Sequence, residues 1–208
     1  MSKKVYKLDW DYGHSGDTER DAFHISFKGD DKVMYYFSSP EIYGSELLPS
    51  EILFQANFRL IPSYDYPLTD LQIPIISRQM YDVLKRIGLT DHLVVPVIMI
   101  DDSYLGDRFQ SEGFLSPDVP TNNDYLALRL SSLQSYFDSE KSDYRPLRSN
   151  PKAPGRIKKL VLKEPLGGFS ALFRVDVISS SLFISQSAKE ALEAAGIKGC
   201  VFEEVEVS

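Results

Sequence analysis

Cysteine and histidine are scarce in this chain of 208 residues, which contains one cysteine and three histidines. A single cysteine, Cys200, excludes an intramolecular disulfide and a zinc site built from several thiolates. It lies in an apolar run, which favours a small buried hydrophobic residue. None of His14, His24 and His92 stands at a recognised metal-ligand spacing from another histidine or a carboxylate. We therefore expect no metal site and no cofactor.

Long apolar segments are also lacking. No stretch comes near the ~20 apolar residues that a membrane-spanning helix requires. The basic residues near the N-terminus are not followed by the apolar core of a secretory signal. From this we expect a protein that stays in the cytoplasm and does not bind membranes.

Positive charge is in deficit, with 23 lysines and arginines against 30 acidic residues and a formal net charge of −7. Sequence-independent binding to nucleic acid depends on clustered cations that displace counterions from phosphates, so we expect no nucleic-acid partner. The acidity is compatible with a basic protein partner, because complementary charge speeds encounter and selects partners. It is equally compatible with a charge that only keeps the chain soluble.

Conventional catalytic motifs are missing. The glycines of residues 167–170 are followed neither by a lysine–serine or lysine–threonine pair nor by a helix start, so they do not form a phosphate loop. No serine lies in a G-x-S-x-G elbow. Asp9, Asp11, Glu19 and Asp21 could supply an acid–base pair, although solvated loop charges explain them as well. We assign no catalytic residues.

One pattern occurs twice, in residues 76–100 and in residues 182–207. Each copy has a serine able to cap a helix, apolar residues at helical spacing, a glycine able to end the helix, and an apolar strand. The serines are Ser77 and Ser185, and the glycines are Gly88 and Gly196. Both pairs are offset by 108 residues, which predicts either a loose internal repeat or convergence on one common supersecondary unit.

Aromatic residues are abundant, with twelve tyrosines and twelve phenylalanines, and such side chains fit the pleated surface of a sheet. Strand-like segments are residues 5–8, 23–27, 32–37, 54–61, 125–133, 157–162 and 171–177. The sequence predicts an α+β fold, with a mixed, mainly antiparallel sheet, two principal helices and the two loosely repeated strand–helix–strand units. We expect one domain over residues 1–208.

An arginine follows a phenylalanine in two strand-like contexts, residues 58–60 and residues 173–175. Arg59 and Arg174 can each be explained in two ways. One is a contact with an anion or a protein partner. The other, which we favour, is a guanidinium that pairs with a nearby carboxylate and organises a sheet edge.

A long polar segment, residues 101–123, follows the first copy of the repeated pattern. Loops of this length are uncommon inside a compact domain and are usually functional or mobile. The segment has five acidic residues and one basic residue, and its aromatic side chains could anchor a partner. We expect the partner-binding residues to be Asp101, Asp102, Tyr104, Asp107, Phe109, Glu112 and Asp118. The acidic loop of residues 9–21 is a second candidate surface.

The order of these segments resembles a known family. A PIISRQMYDVLKRIGL helix leads into VVPVIM, a polar loop, YLALRLSSL, IKKLVLKEP and ALFRV, and LFISQSAKEALEAAGIKGCVFEEV ends the series. This series is similar to the bacterial immunity proteins of polymorphic-toxin systems, in particular the eleventh and forty-third immunity families and their relatives. The resemblance covers roughly residues 74–207, while the β-rich residues 1–73 match less clearly.

The resemblance implies a protein that binds a toxin encoded beside it and blocks that toxin, with no catalytic residues to transfer. We expect stoichiometric occlusion of the active site of a basic, antibacterial toxin that acts in the cytoplasm. An enzyme that reverses or degrades a toxin product or another small substrate is the alternative. A third reading is an adaptor that recruits proteins without inhibiting any.

Overall fold

The computed structural model describes residues 4–13, 20–26, 33–71, 73–111, 113–150 and 153–208, which form twelve β-strands and three α-helices. The strands are β1 (Val5–Trp10), β2 (Ala22–Ser26), β3 (Ile52–Ala56), β4 (Ile75–Ser77), β5 (His92–Asp101), β6 (Thr121–Leu130), β7 (Asp143–Pro146), β8 (Pro154–Lys159), β9 (Val161–Leu162), β10 (Leu172–Val175), β11 (Ile178–Ser185) and β12 (Cys200–Val207). The helices are α1 (Val33–Ser38), α2 (Arg78–Arg86) and α3 (Gln186–Ala194), with 3₁₀ turns at Ser45–Leu47 and Ile61–Ser63. Within these described ranges, no helix has the length and apolar character needed to cross a membrane.

The described strands assemble into two five-stranded sheets and one separate hairpin. The strand order is β10-β11-β1-β12-β9 in the first sheet and β2-β3-β5-β6-β4 in the second, and β7 pairs with β8 in the hairpin. β3 runs parallel to β5 and β9 runs parallel to β12, whereas the other paired strands are antiparallel. The prediction of an α+β fold with mixed, mainly antiparallel pairing and two principal helices is confirmed.

The two predicted helices begin with the same cap. The Met80 N–H donates to Ser77 Oγ at 3.1 Å at the start of α2, and the Ala188 N–H donates to Ser185 Oγ at 3.4 Å at the start of α3. Each serine satisfies one of the backbone donors that have no partner in the first helical turn. Both caps therefore form where the sequence predicts them.

The two helices also end in the same way. Gly88 and Gly196 have φ angles of 93° and 70°, the left-handed conformation that closes a helix without a Cβ penalty. The residue after each glycine donates its N–H to the carbonyl five residues earlier, at 2.9 Å after α2 and 3.1 Å after α3. Each glycine also donates its own N–H to the carbonyl three residues earlier, at 3.1 Å for Gly88 and 3.0 Å for Gly196. The two bonds at each helix end form the Schellman arrangement, so the offset of 108 residues extends to the helix C-termini.

Strand pairing follows the same offset. β4 and β5 lie on either side of β6, just as β11 and β12 lie on either side of β1. Tyr125 of β6 lies between Ser77 and Val97, and Val5 of β1 lies between the two residues 108 positions further along the chain. The parallel neighbours β3 and β9 keep the offset as well. The repeated sequence pattern therefore corresponds to one structural unit used twice.

The N-terminal strand β1 completes the second unit, which also contains β9, β11, α3 and β12. The first unit consists of β3, β4, α2, β5 and β6. β6 follows β5 along the chain, whereas β1 reaches the equivalent central place from the other end of the chain. The equivalence continues beyond the strands, because the Asp11 N–H donates to the Gly199 carbonyl at 3.0 Å and the Ser131 N–H donates to the Asp91 carbonyl at 2.8 Å. Segments at the two ends of the sequence thus share one sheet.

One apolar cluster joins the two units. α2 and α3 lie against each other and contribute their apolar faces to it, and β1, β6 and β11 contribute side chains from both sheets. Its fully buried members include Ile76, Met80, Leu84, Leu128, Ile184, Ala188 and Leu192. Because this burial is shared, loosening either helix exposes apolar surface that belongs to both units.

The cap serines differ in one measurable respect. Ser77 Oγ also donates to Asp65 Oδ1 at 2.5 Å, whereas Ser185 Oγ lies 3.2 Å from the hydroxyl of Ser187. Ser185→Ala is expected to lower the free energy of unfolding by about 1 kcal/mol. Ser77→Ala is expected to lower it by roughly 2 kcal/mol, because a charge-assisted hydrogen bond is lost with the cap. Urea denaturation of both variants checks this order, and equal losses would contradict it.

Two strand predictions are wrong. Residues 33–38 form α1, in which Tyr36 and Phe37 are both buried. Adjacent residues of a strand point to opposite faces, so burial of this pair against one core favours a helix. β3 ends at Ala56, and residues 57–60 form a turn, so Phe58, Arg59 and Leu60 are not a strand and do not correspond to residues 173–175 of β10.

Candidate functional site

The acidic segment predicted to bind a partner connects β5 to β6, and all of its residues except residue 112 are described. Arg108 holds it to the second sheet, since Nη1 donates to Gln55 Oε1 at 2.8 Å and Nη2 donates to the Asp102 carbonyl at 3.3 Å. The Asp102 N–H in turn donates to the Ala56 carbonyl at 3.0 Å. We call residues 101–120 the acidic arm.

The middle of the acidic arm folds back on itself. Phe109 forms an antiparallel bridge with Leu115, and the Gln110 N–H donates to the Phe114 carbonyl at 2.8 Å. Gly113 turns the chain with a φ angle of 80°. This small hairpin presents its side chains in a defined arrangement, which reduces the entropy lost when a partner binds.

Three large apolar side chains of the acidic arm are exposed to solvent. Leu105 is 99% exposed, Phe114 is 58% exposed and Phe109 is 36% exposed. Tyr104 is half-buried, with its ring folded over Gly106. The predicted anchors Tyr104 and Phe109 are therefore both on the arm, and the structure adds Leu105 and Phe114, which the sequence analysis did not single out.

The predicted carboxylates are not equivalent. Asp102, Asp107 and Asp118 are exposed along the arm. Asp101 is half-buried, and its Oδ1 accepts the Ser103 N–H at 3.1 Å, so it shapes the first turn of the arm. Glu112, the remaining predicted contact, lies outside the described residues.

The second candidate surface is less available for a partner. Asp9 is paired with Lys7 at 2.8 Å, and Asp21 accepts the Leu68 N–H at 2.7 Å. Asp11 accepts the Gly13 N–H at 3.0 Å. Asp17 and Glu19, together with His14, lie outside the described residues. Among the described residues, the acidic arm offers the more accessible carboxylates.

Positive charge is concentrated elsewhere, around the β7–β8 hairpin. Residues 141–163 contain eight of the 23 lysines and arginines and one of the 30 acidic residues. Arg145 lies directly opposite Arg156 in the strand register, and both side chains are exposed. The net charge of the chain conceals this separation, which a residue-by-residue charge profile of the sequence would have detected. We call residues 141–163 the basic hairpin.

The two arginines compared in the sequence have different surroundings. Arg59 is exposed in a turn. Arg174 is 2% exposed, its Nη1 donates to the Ser179 carbonyl, and no carboxylate within the described residues pairs with it. The favoured explanation, a guanidinium paired with a carboxylate, therefore does not hold for Arg174.

The described residues contain no cluster of three or more histidine, cysteine or acidic side chains that could hold a metal ion. His92 Nε2 lies 3.1 Å from the Tyr81 hydroxyl, and burial together with the nearby Lys85 lowers the pKa of His92. Burial raises the pKa of the Cys200 thiol to about 12, which keeps it protonated and unreactive at neutral pH. These groups are typical of a folded interior rather than of a reacting centre.

Comparison with known proteins does not assign the chain to a family. No family model matches its sequence. No curated protein is significantly similar to it.

Proposed function

We propose that the protein is an immunity protein, which binds a cognate antibacterial toxin in the cytoplasm and neutralises it by covering its active site. The observation that carries this proposal is the acidic arm, whose described residues combine exposed carboxylates with exposed large apolar side chains. The resemblance of residues 74–207 to immunity proteins of polymorphic-toxin systems agrees with such a role.

The apolar side chains of the arm supply the reason to expect a protein partner. The arm exposes one leucine and two phenylalanines within ten residues, and a concentration of exposed large apolar side chains on a protein surface is typical of an interaction site. Protein interfaces gain most of their affinity from a few such anchors, surrounded by polar groups that exclude water. Leu105 and Phe114 are the anchors we assign, and Phe109 and Tyr104 of the same arm are the further aromatic contacts.

The carboxylates of the arm define the chemistry of the partner. Asp102, Asp107 and Asp118 are exposed on the same arm as the apolar anchors and give it negative charge. A toxin whose active site binds anionic substrates has a basic surface, and complementary charge would steer it toward this arm. The proposed partner is therefore a basic toxin domain.

The alternative function is an enzyme that acts on a toxin product or on another small substrate. Stoichiometry separates the two, since an inhibitor protects only near one protein per toxin, whereas an enzyme protects at far lower ratios. The first experiment is affinity purification from the native host, followed by titration of purified toxin activity. Protection far below equimolar protein would contradict the inhibitor.

Two exposed leucines, one on the arm and one outside it, test the assignment of the anchors. Leu105→Ala is expected to weaken toxin binding by about thirtyfold or more, as truncation of a central interface anchor does. Leu166→Ala is the control, because Leu166 is also fully exposed but lies outside the arm. Isothermal titration calorimetry measures both variants, and equal affinities would place the interface elsewhere.

Charge reversal tests the electrostatic part. Replacing Asp102, Asp107 and Asp118 with lysine is expected to reduce the association rate and its dependence on salt. Replacement of Arg145 and Arg156 on the basic hairpin with glutamate is the control, because it reverses charges of the opposite sign on another surface. If only the hairpin variant loses affinity, the acidic arm is not the interface.

A further inference from the structure

A cavity of about 260 Å³ lies between the first sheet and the segment that precedes β4. Its walls come from three separate parts of the chain: β1 with the turn after it, Tyr66 together with Pro74, and the β10–β11 hairpin. The principal side chains are those of Lys7, Asp9, Trp10, Tyr66, Arg174 and Ser181. The space is slightly below that of pockets for drug-sized ligands, which suits a small molecule.

The cavity exists because two paired strands separate. The ladder between β1 and β11 ends at Leu8 opposite Leu182. Beyond that point β1 continues along β12 as far as Trp10, while the beginning of β11 pairs with β10. Ser180 and Ser181 therefore face the cavity instead of continuing the ladder with β1.

Arg174 brings a buried positive charge to this cavity. The described residues provide one hydrogen bond to its side chain, from Nη1 to the Ser179 carbonyl, and Nε has no partner among them. The Nε–Nη2 edge is the side of a guanidinium that receives a carboxylate or a phosphate through two parallel hydrogen bonds. That edge has no acceptor within the described chain.

A second buried arginine shows that this arrangement is not general in the fold. Arg129 is 3% exposed, and both of its Nη atoms donate to backbone carbonyls of residues 40–44. It holds a loop in place. Its Nε, like that of Arg174, has no partner among the described residues. Arg174, by contrast, lines the cavity and donates from Nη1 alone, and burial lowers its pKa more than the neighbouring Tyr66 raises it.

Two other groups of the cavity lining bear on its charge and hydrogen bonding, the Trp10 indole and the Lys7–Asp9 pair. The Trp10 indole N–H is buried with no acceptor among the described residues, while its ring stacks on Tyr66 at 5.6 Å. Lys7 is matched by Asp9 at 2.8 Å, so that pair contributes no net charge. Arg174 therefore leaves the cavity lining with one uncompensated positive charge, and a buried charge requires a counter-charge or full hydrogen bonding.

We propose that this cavity is a binding site for a small oxyanion, a carboxylate or a phosphate, held by the free edge of the Arg174 guanidinium. The oxyanion supplies the missing counter-charge and accepts from the unused donors. The site uses no residue of the acidic arm, so this proposal does not depend on the proposed toxin binding.

The protein contains a direct reporter, because Trp10 is its only tryptophan and lines the cavity. The full-length protein is titrated with inorganic phosphate, phenyl phosphate, acetate and benzoate while tryptophan fluorescence is recorded. Sodium chloride of equal ionic strength is the reference. We expect a saturable change in fluorescence with at least one oxyanion and none with chloride. Comparison of the phosphate and carboxylate titrations identifies which oxyanion is preferred.

Two variants act in opposite directions. Arg174→Lys keeps the charge but removes the planar fork, and is expected to weaken binding by about tenfold or more. Asp9→Asn keeps the side-chain oxygen that accepts the Trp10 backbone N–H at 2.9 Å but removes the negative charge that repels the ligand, so it is expected to tighten binding by about threefold or more. Arg156→Lys on the basic hairpin is the matched control and is expected to bind as the parent does.

The outcomes are decisive even if Arg174→Lys fails to fold, because Asp9→Asn tests the same site by a gain. A structural role for Arg174 alone would not produce tighter binding when Asp9 is neutralised. The proposal is overturned if no oxyanion gives a saturable signal beyond that of chloride. It is also overturned if Asp9→Asn binds no more tightly than the parent, or if Arg156→Lys loses affinity as Arg174→Lys does.

Discussion

Deletion of residues 1–10 is expected to abolish cooperative folding of the first sheet. β1 is the central strand of that sheet, with six residue pairs to β12 and four to β11. Val5, Tyr6 and Leu8 are buried, and loss of three such side chains removes roughly 5–9 kcal/mol of apolar burial. This is comparable to the total stability of a typical domain, about 5–15 kcal/mol.

The pseudo-symmetry of the two units suggests how to reverse this loss. In the first unit the central strand follows β5 directly, so an equivalent chain order for the second unit would place β1 after β12. A chain that starts at residue 20 and carries residues 4–13 after Ser208, joined by a short turn, is expected to fold. Val5 lies opposite Val205, close to the end of β12, so the connection is short.

Urea denaturation followed by far-ultraviolet circular dichroism tests both chains. Near-ultraviolet circular dichroism of Trp10 tests the rearranged chain, which retains the only tryptophan. We expect the deletion to lose the cooperative transition and the rearranged chain to regain it. The same rearranged chain with Leu8→Asp is the control, because it supplies the segment without its buried face. A stable, native-like deletion variant would show that β1 is not needed to complete the second unit.

Local signals explain why much of the fold could be predicted. Ser77 and Ser185 define helix starts, and Gly88 and Gly196 define helix ends, because caps depend on a few adjacent residues. The pairing of β1 with β11 and β12 depends on contacts nearly 200 residues apart along the chain, which no local pattern contains. The strand prediction for residues 32–37 failed because β-forming aromatic residues are placed in a helix by burial of Tyr36 and Phe37.

The candidate sites also differ in whether local sequence could reveal them. The acidic arm could be found from composition, because its residues are consecutive. Leu105 and Phe114 were missed because single apolar residues in a polar loop do not reveal their exposure. The Arg174 cavity could not be predicted, since its walls come from three segments that meet only in the folded chain.

The turn before β12 shows how closely the two units are coupled. Gly199 has a φ angle of 88°, and a Cβ placed on it would lie 2.8 Å from the Tyr66 carbonyl oxygen. Its counterpart 108 residues earlier, Asp91, also has a positive φ angle, 55°, so both units use the left-handed conformation there. The Tyr66 N–H donates to the Lys198 carbonyl at 3.1 Å, so residues 64–66 have little freedom to move away.

Gly199→Ala is therefore expected to lower the free energy of unfolding by roughly 2–5 kcal/mol, from left-handed strain together with a backbone collision. Gly196→Ala is the matched control: its φ angle is 70°, but an added Cβ meets no atom within 4 Å. That variant is expected to lose only about 1 kcal/mol. Urea denaturation compares the two, and equal losses would contradict the close approach. Because Tyr66 stacks on Trp10, only Gly199→Ala is also expected to change the tryptophan fluorescence of the folded protein.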